Sequence, residues 1–137
     1  MTTMTSVSMT SVLLSILGFV VLDGLWLGLV MKDFYRAQLM PIGRIVNGAF
    51  APVWSAAAPV YLLLGVGVAI FVVPRAQGLG SAVALGALFG LVVYGVYDLT
   101  NYSTLKDWPV QLTIADMAWG AVACGLVSAA VFSFVSR

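Results

Sequence analysis

Four apolar segments dominate the chain, and shorter polar connections separate them. The segments cover approximately residues 12–31, 49–73, 79–97 and 109–135. A transmembrane helix needs roughly 20 predominantly apolar residues, so each segment is long enough to cross a bilayer. Backbone polar groups in lipid must be satisfied within the protein, and segments of this length favour helices over barrel strands. The pattern predicts an all-α, polytopic membrane protein in which residues 1–137 form a single bundle of four transmembrane helices.

Composition supports this class of protein and argues against several others. Of the 137 residues, 62% are hydrophobic and 8% are charged, whereas a soluble domain has about 25% charged residues. The net charge of +1 lacks the basic excess of nucleic-acid-binding proteins, so we expect no nucleic-acid partner. The chain contains no His and a single cysteine, Cys124. Because zinc and haem sites depend on such ligands, we expect neither a metal site nor a cofactor.

The basic residues predict an orientation in the membrane. The connections 32–48 and 100–108 lie on one side, and they carry Lys32, Arg36, Arg44 and Lys106. The opposite side carries only Arg75 and Arg137. Because cytoplasmic loops are enriched in Lys and Arg, we expect the first side to be cytoplasmic and both termini to be outside. The expected location is a bacterial cytoplasmic (inner) membrane, with the first helix retained rather than cleaved as a signal peptide.

Small residues recur every four positions on the last two helices. The two stripes are Ala82, Gly86 and Gly90 on the third helix, and Gly120, Cys124 and Ser128 on the fourth. Small residues allow membrane helices to approach closely, so these stripes predict a tight contact between the last two helices.

Three aspartates lie within or at the edge of apolar segments, where charge is costly. From the rise of an α-helix, Asp23 and Asp116 lie roughly 13 Å and 10 Å inside the same interface, on the side of the 32–48 connection. Asp98 is expected near the end of the third helix, close to that interface. We therefore expect all three carboxylates in the same half of the membrane, facing the interior of the bundle rather than lipid.

Aromatic and polar side chains accompany these aspartates. Trp26 and Trp119 each follow an aspartate by three residues, which puts each pair on one helical face. The predicted ligand-binding or proton-relay site, opening toward the 32–48 side, consists of Asp23, Trp26, Tyr94, Tyr97, Asp98, Asn101, Asp116 and Trp119. No catalytic residue can be assigned from the sequence.

The motifs around these residues resemble the DUF2177 family of small bacterial integral membrane proteins, whose function is undefined. The matching motifs are Leu22-Asp23-Gly-Leu-Trp26-Leu-Gly28, Phe34-Tyr35, Tyr94-Gly-Val-Tyr97-Asp98-Leu-Thr-Asn101, Thr104-Leu-Lys106, Trp108-Pro109 and Asp116-Met-Ala-Trp119-Gly120. The resemblance covers nearly the whole chain and implies a protein with four transmembrane helices. It implies no activity, cofactor or catalytic residue.

Three functions are compatible with the sequence. The favoured one is binding or transport of a small cationic or polar ligand, or of protons, by a protein that forms a homodimer or a larger membrane complex. The second is a structural or accessory subunit, in which the polar residues only fix the packing of the helices. The least supported is a membrane-embedded enzyme that modifies lipids, because the chain has no His and no activated Ser or Cys arrangement. A ligand site requires a cavity that reaches the carboxylates, whereas a structural role requires them to be sealed.

Overall fold

The computed structural model describes residues 8–137, and within this range four long helical segments cross the length of the bundle. They cover Met9–Val30, Trp54–Arg75, Leu79–Thr104 and Val110–Val135, and each is long and apolar enough to span a membrane. The predicted all-α, polytopic architecture is therefore confirmed. The predicted single domain also includes residues 1–7, which lie outside the described range.

The first two spans are not regular α-helices throughout. Helix α1 (Met9–Leu25) continues into a π-helical turn at Trp26–Val30. Helix α3 (Trp54–Gly67) continues into a π-helical turn at Val68–Val72 and a short 3₁₀ turn at Val73–Arg75. Such π-helical turns often occur at functional sites, and the first of them begins at one of the predicted site residues.

The connection between the first two spans is folded. It contains helix α2 (Lys32–Leu39) and a hairpin of strands β1 (Ile45–Val46) and β2 (Ala49–Phe50). Asn47 and Gly48 join the strands, and both have positive φ angles, 51° and 77°. Two such residues between paired strands form the type I′ turn that matches the twist of a hairpin, for which Asn-Gly is the preferred sequence.

Two helix boundaries differ from the prediction. The second span was expected to begin at residue 49, but α3 begins at Trp54 because residues 49–50 pair in the hairpin and Pro52 restricts the backbone before it. The third span was expected to end at residue 97, but α4 (Leu79–Thr104) continues to Thr104. Asp98 therefore lies well inside the helix rather than near its end.

Helices α4 and α5 (Val110–Val135) make the closest contact in the bundle, as the stripes of small residues predicted. A Cβ atom added at Gly90 would collide with the carbonyl oxygen of Gly120. One added at Gly86 would lie 2.5 Å from the carbonyl oxygen of Cys124 and from Oγ of Ser128. The close approach of these backbones brings the polar residues of the two helices together at one end of the contact.

Candidate functional site

Asp23 of α1 uses both carboxylate oxygens to join two other helices. Its Oδ1 accepts a hydrogen bond of 2.8 Å from the indole N–H of Trp119 on α5. Its Oδ2 accepts one of 2.9 Å from the hydroxyl of Tyr61 on α3. Asp23 therefore faces the interior of the bundle, as predicted, and it connects three of the four spans.

Asp116 of α5 is held by a chain of two hydrogen bonds. The hydroxyl of Tyr35, the one buried side chain of α2, donates to Oδ1 of Asp116 at 2.9 Å. The indole N–H of Trp26 donates to the same hydroxyl at 3.1 Å. Burial raises the pKa of Tyr35 above its ordinary value, and the neighbouring Asp116 and Asp98 raise it further, against the opposing effect of the Trp26 bond. The hydroxyl therefore stays neutral and remains a donor at physiological pH.

Two stacked indoles link these hydrogen-bonded groups. The rings of Trp26 and Trp119 lie 4.4 Å apart between centroids, with an angle of 1° between their planes. Through this stack, the residues that hold Asp23 and those that hold Asp116 form one polar cluster within the apolar bundle. The cluster joins α1, α2, α3 and α5.

Asp98 of α4 is fully buried beside this cluster. Within the described part of the chain, neither of its carboxyl oxygens has a hydrogen-bond partner. The carboxyl group of Asp98 lies close enough to that of Asp116 for the two to interact electrostatically, although no hydrogen bond of ordinary geometry joins them. Because a buried polar group without a partner is costly, Asp98 is the least satisfied group of the cluster.

The other predicted site residues lie at the edge of the cluster. The ring of Tyr94 packs against Gly120, where a Cβ atom would collide with it, so this residue mainly fills the contact between α4 and α5. Tyr97 is 57% exposed and packs edge-on against Trp108, with centroids 5.9 Å apart. Asn101 is half-buried one helical turn beyond Tyr97. In the described structure these three residues are not part of the hydrogen bonds that hold Asp23 and Asp116.

A cavity of about 930 Å³ opens on the same side of the bundle as the hairpin. Asp116 and Tyr35 border it, and so does Tyr97. Its apolar lining includes Leu27, Leu39, Ile42, Phe50, Leu105 and Leu112. Its charged lining consists of Lys32, Arg36, Arg44, Lys106, Asp107 and Asp116. Among residues 8–137, no group of three His, Cys, Asp or Glu side chains is arranged to hold a metal ion.

Sequence reasoning missed two tyrosines of the cluster and the placement of four basic residues. Tyr35 had a signal, because it belongs to the Phe34-Tyr35 motif, but no helix was predicted in the connection 32–48 that contains it. Tyr61 appeared as one polar ring in an apolar helix, which gives no sign of its partner 38 residues earlier in the chain. The basic residues were interpreted mainly as determinants of orientation, and their convergence on one cavity was not predicted.

Four apolar spans around a hydrogen-bonded polar cluster define a polytopic helical membrane protein. The chain belongs to the DUF2177 family of predicted membrane proteins, whose family profile matches residues 8–133. The family resemblance deduced from the sequence motifs is thereby confirmed. Comparisons with curated proteins and with solved structures give no significant match.

Proposed function

We propose that this membrane protein binds a small molecule in the cavity beside Asp116, through at least one polar group of that molecule. One observation carries the proposal: the Asp116 carboxylate is oriented by Tyr35 and at the same time borders an open cavity of about 930 Å³. Ligand cavities of this size typically combine apolar walls with a few well-placed polar groups. Ionisable residues within membrane segments commonly mark the route of a ligand or an ion.

The two hydrogen-bonded aspartates have different roles under this proposal. Both oxygens of Asp23 accept hydrogen bonds from Trp119 and Tyr61, so this residue holds the helices together. Asp116 accepts one hydrogen bond, from Tyr35, and borders the cavity. A hydroxyl, amide or ammonium group of a ligand in the cavity would donate to Asp116, while Tyr35 and Trp26 fix the orientation of the carboxylate.

A proton or a cationic group is a further candidate for binding at this site, because the carboxyl group of Asp98 lies close to that of Asp116. Two carboxyl groups close together in a poorly hydrated place repel each other when both are ionised. A proton shared by Asp98 and Asp116, or a cationic group of the ligand, removes this repulsion. Transport of the ligand would require a route to the opposite side, which a bundle of this size would form most readily as a homodimer.

The main alternative is an accessory subunit whose aspartates only lock the helices. It accounts for Asp23 but leaves the cavity beside Asp116 without a role. A lipid-modifying enzyme has less support, because among residues 8–137 no nucleophile paired with a base accompanies the carboxylates. We also propose a bacterial inner membrane as the location, with the cavity opening to the cytoplasm, because the excess of Lys and Arg lies on the cavity side.

Access to the cavity can be tested at Gly28, which lines it. A Cβ atom at Gly28 meets no atom within 4 Å, so Gly28→Cys should introduce a thiol into the cavity without strain. Gly24→Cys is a matched control, because a Cβ atom there is equally unobstructed but the position does not line the cavity. Both variants are made in a Cys124→Ala background and treated with an uncharged, water-soluble thiosulfonate in detergent.

Two measurements decide the proposal. The thiol at position 28 should react rapidly and the one at position 24 slowly. Lipid and small-molecule extracts of the expressing cells are then added to the Gly28→Cys protein, and at least one of them should slow its labelling by occupying the cavity. A slow reaction at position 28, or fast labelling that neither extract slows, would contradict ligand binding and favour the accessory subunit.

A further inference from the structure

The basic residues of the loop side converge on one cavity. Lys32 and Arg36 come from α2, Arg44 from the segment before β1, and Lys106 from the connection between α4 and α5. A preference for positive charge on the cytoplasmic side requires only that these residues lie on that side. It does not require residues from three separate segments to line the same cavity.

Basic residues outnumber acidic residues in the lining of this cavity. Four basic side chains border the cavity against two acidic ones, Asp107 and Asp116. All four basic residues are exposed, so they can reach a ligand at the opening without a desolvation cost comparable to that of a buried charge. Arg36 is also fixed in place, because its guanidinium donates to the carbonyl oxygen of Gly48 in the hairpin turn at 3.0 Å.

The remaining lining is mostly apolar. Leu27 and Leu112 come from the membrane spans, and Phe50 comes from the hairpin. Leu39 is the last residue of α2, and Ile42 follows that helix. A small hydrophilic anion would fill the basic part of this space but would leave these walls in contact with water. An amphiphile matches both parts, because its apolar chain covers the walls and its headgroup meets the cations.

We propose that the ligand is an amphiphile with a phosphate headgroup, an inference that rests on the proposed function of the cavity. The phosphate lies at the opening, among Lys32, Arg36, Arg44 and Lys106, and the acyl or alkyl chain lies along the apolar walls. Arginine guanidinium groups bind phosphate through paired hydrogen bonds, and lysines add point charge. Asp116 repels the phosphate, so it is left to accept a hydrogen bond from a hydroxyl or ammonium group elsewhere in the headgroup.

The test measures how well defined compounds slow the labelling of Gly28→Cys. The probes are dihexanoylphosphatidylglycerol, whose headgroup carries a phosphate and hydroxyl groups, dihexanoylglycerol, which has the same chains and a hydroxyl but no phosphate, and inorganic phosphate. Dihexanoylphosphatidylglycerol should protect the thiol at a concentration at least about 10-fold lower than either of the other two. Combining Arg44→Gln with Lys106→Gln should raise that concentration by about 10-fold, because two phosphate contacts are lost. Arg75→Gln with Arg137→Gln, on the opposite side, is the matched control and should leave it unchanged.

The outcomes separate this inference from the proposed function. Equal protection by dihexanoylglycerol would overturn the role of phosphate, and equal protection by inorganic phosphate would overturn the role of the apolar chain. Protection by a cell extract but by none of the three probes would overturn the ligand class and leave the proposed function standing. Protection by neither extract nor probe would overturn both.

Discussion

Trp26 and Trp119 stack face to face, and each indole is hydrogen-bonded, directly or through Tyr35, to the aspartate on the helix of the other tryptophan. Trp119 follows Asp116 by three residues but donates to Asp23, whereas Trp26 follows Asp23 by three residues but donates through Tyr35 toward Asp116. Stacked aromatic pairs contribute about 0.5–1.5 kcal/mol beyond the area they bury. The exchange of partners ties α1 to α5 more firmly than a bond within either helix could.

Tyr35→Phe should loosen α2 from the bundle. The substitution leaves the indole N–H of Trp26 without its acceptor and Asp116 without its donor, and such losses typically cost about 1–3 kcal/mol. We expect unfolding titrations with a denaturing detergent to give a lower free energy of unfolding by about 2 kcal/mol. Tyr102→Phe is the control, because Tyr102 is half-exposed and should tolerate the loss of its hydroxyl. Equal stability of the two variants would mean that the Tyr35 bonds do not hold α2.

Substitutions of Asp23 should separate the contribution of its hydrogen-bonding shape to stability from the contribution of its charge. In Asp23→Asn, the amide oxygen can accept from Trp119, and the amide N–H can donate to the Tyr61 hydroxyl, which is able to accept as well as donate. We therefore expect a change of less than about 1 kcal/mol in the free energy of unfolding. Asp23→Leu leaves both donors unsatisfied and should cost about 3 kcal/mol.

The hydrogen bond to Tyr61 should survive in Asp23→Asn with its direction reversed. Tyr61→Phe removes this bond from the wild type and, if it has reversed, from Asp23→Asn as well, so the costs of the two substitutions should be close to additive. A double-mutant cycle measures the difference. A combined cost clearly below the sum would indicate that Asp23→Asn had already broken the bond and that Tyr61 does not reverse it.

Asp98→Asn should leave the bundle as stable as the wild type or make it more stable. Both oxygens of Asp98 lack hydrogen-bond partners in the described structure, and its carboxyl group lies close to that of Asp116. The substitution keeps the shape, removes the repulsion between two carboxylates, and provides an N–H that can donate to Asp116. We expect an unchanged or higher melting temperature in detergent. A loss of more than about 2 kcal/mol would show that the Asp98 carboxyl itself stabilises the fold.

Much of this cluster was predictable because membrane helices follow simple periodic rules. The helical rise placed Asp23 and Asp116 at similar depth, and the small-residue stripes identified the faces of α4 and α5 that meet. Both inferences depend only on spacing within a single helix, where the rise per residue and the repeat of each face are fixed. The existence of an Asp, Trp and Tyr cluster followed from them.

The partners of each aspartate were not predictable in the same way. The sequence suggests that Trp26 would donate to Asp23, because they share a helical face, but its indole N–H donates to Tyr35 of another helix. That contact depends on α2 folding back over the end of the bundle, which only the tertiary arrangement determines. The basic lining of the cavity was hidden for the same reason, since Lys106 is distant along the chain from Lys32, Arg36 and Arg44.

Gly90→Ala should weaken the contact between α4 and α5. A Cβ atom at this position would collide with the backbone of Gly120, so the helices would have to move apart. We expect a loss of about 1–3 kcal/mol in the free energy of unfolding, the typical cost of overpacking. Gly80→Ala on the same helix is the matched control, because a Cβ atom there meets nothing within 4 Å. The Gly80 variant should be as stable as the wild type or slightly more stable, since alanine favours helix.

The orientation of the protein can be decided by labelling single cysteines in intact cells. Ala37 on α2 and Ser103 near the end of α4 are exposed on the cavity side, and Gln77 is exposed on the opposite side. In a Cys124→Ala background, an impermeant thiol reagent added outside should label Gln77→Cys and should not label Ala37→Cys or Ser103→Cys. The physical reason is the excess of Lys and Arg on the cavity side, which favours retention in the cytoplasm. Permeabilising the cells should expose positions 37 and 103, which controls for poor reactivity. Labelling of these two positions from outside in intact cells would reverse the orientation, and the cavity with its four basic residues would then open away from the cytoplasm.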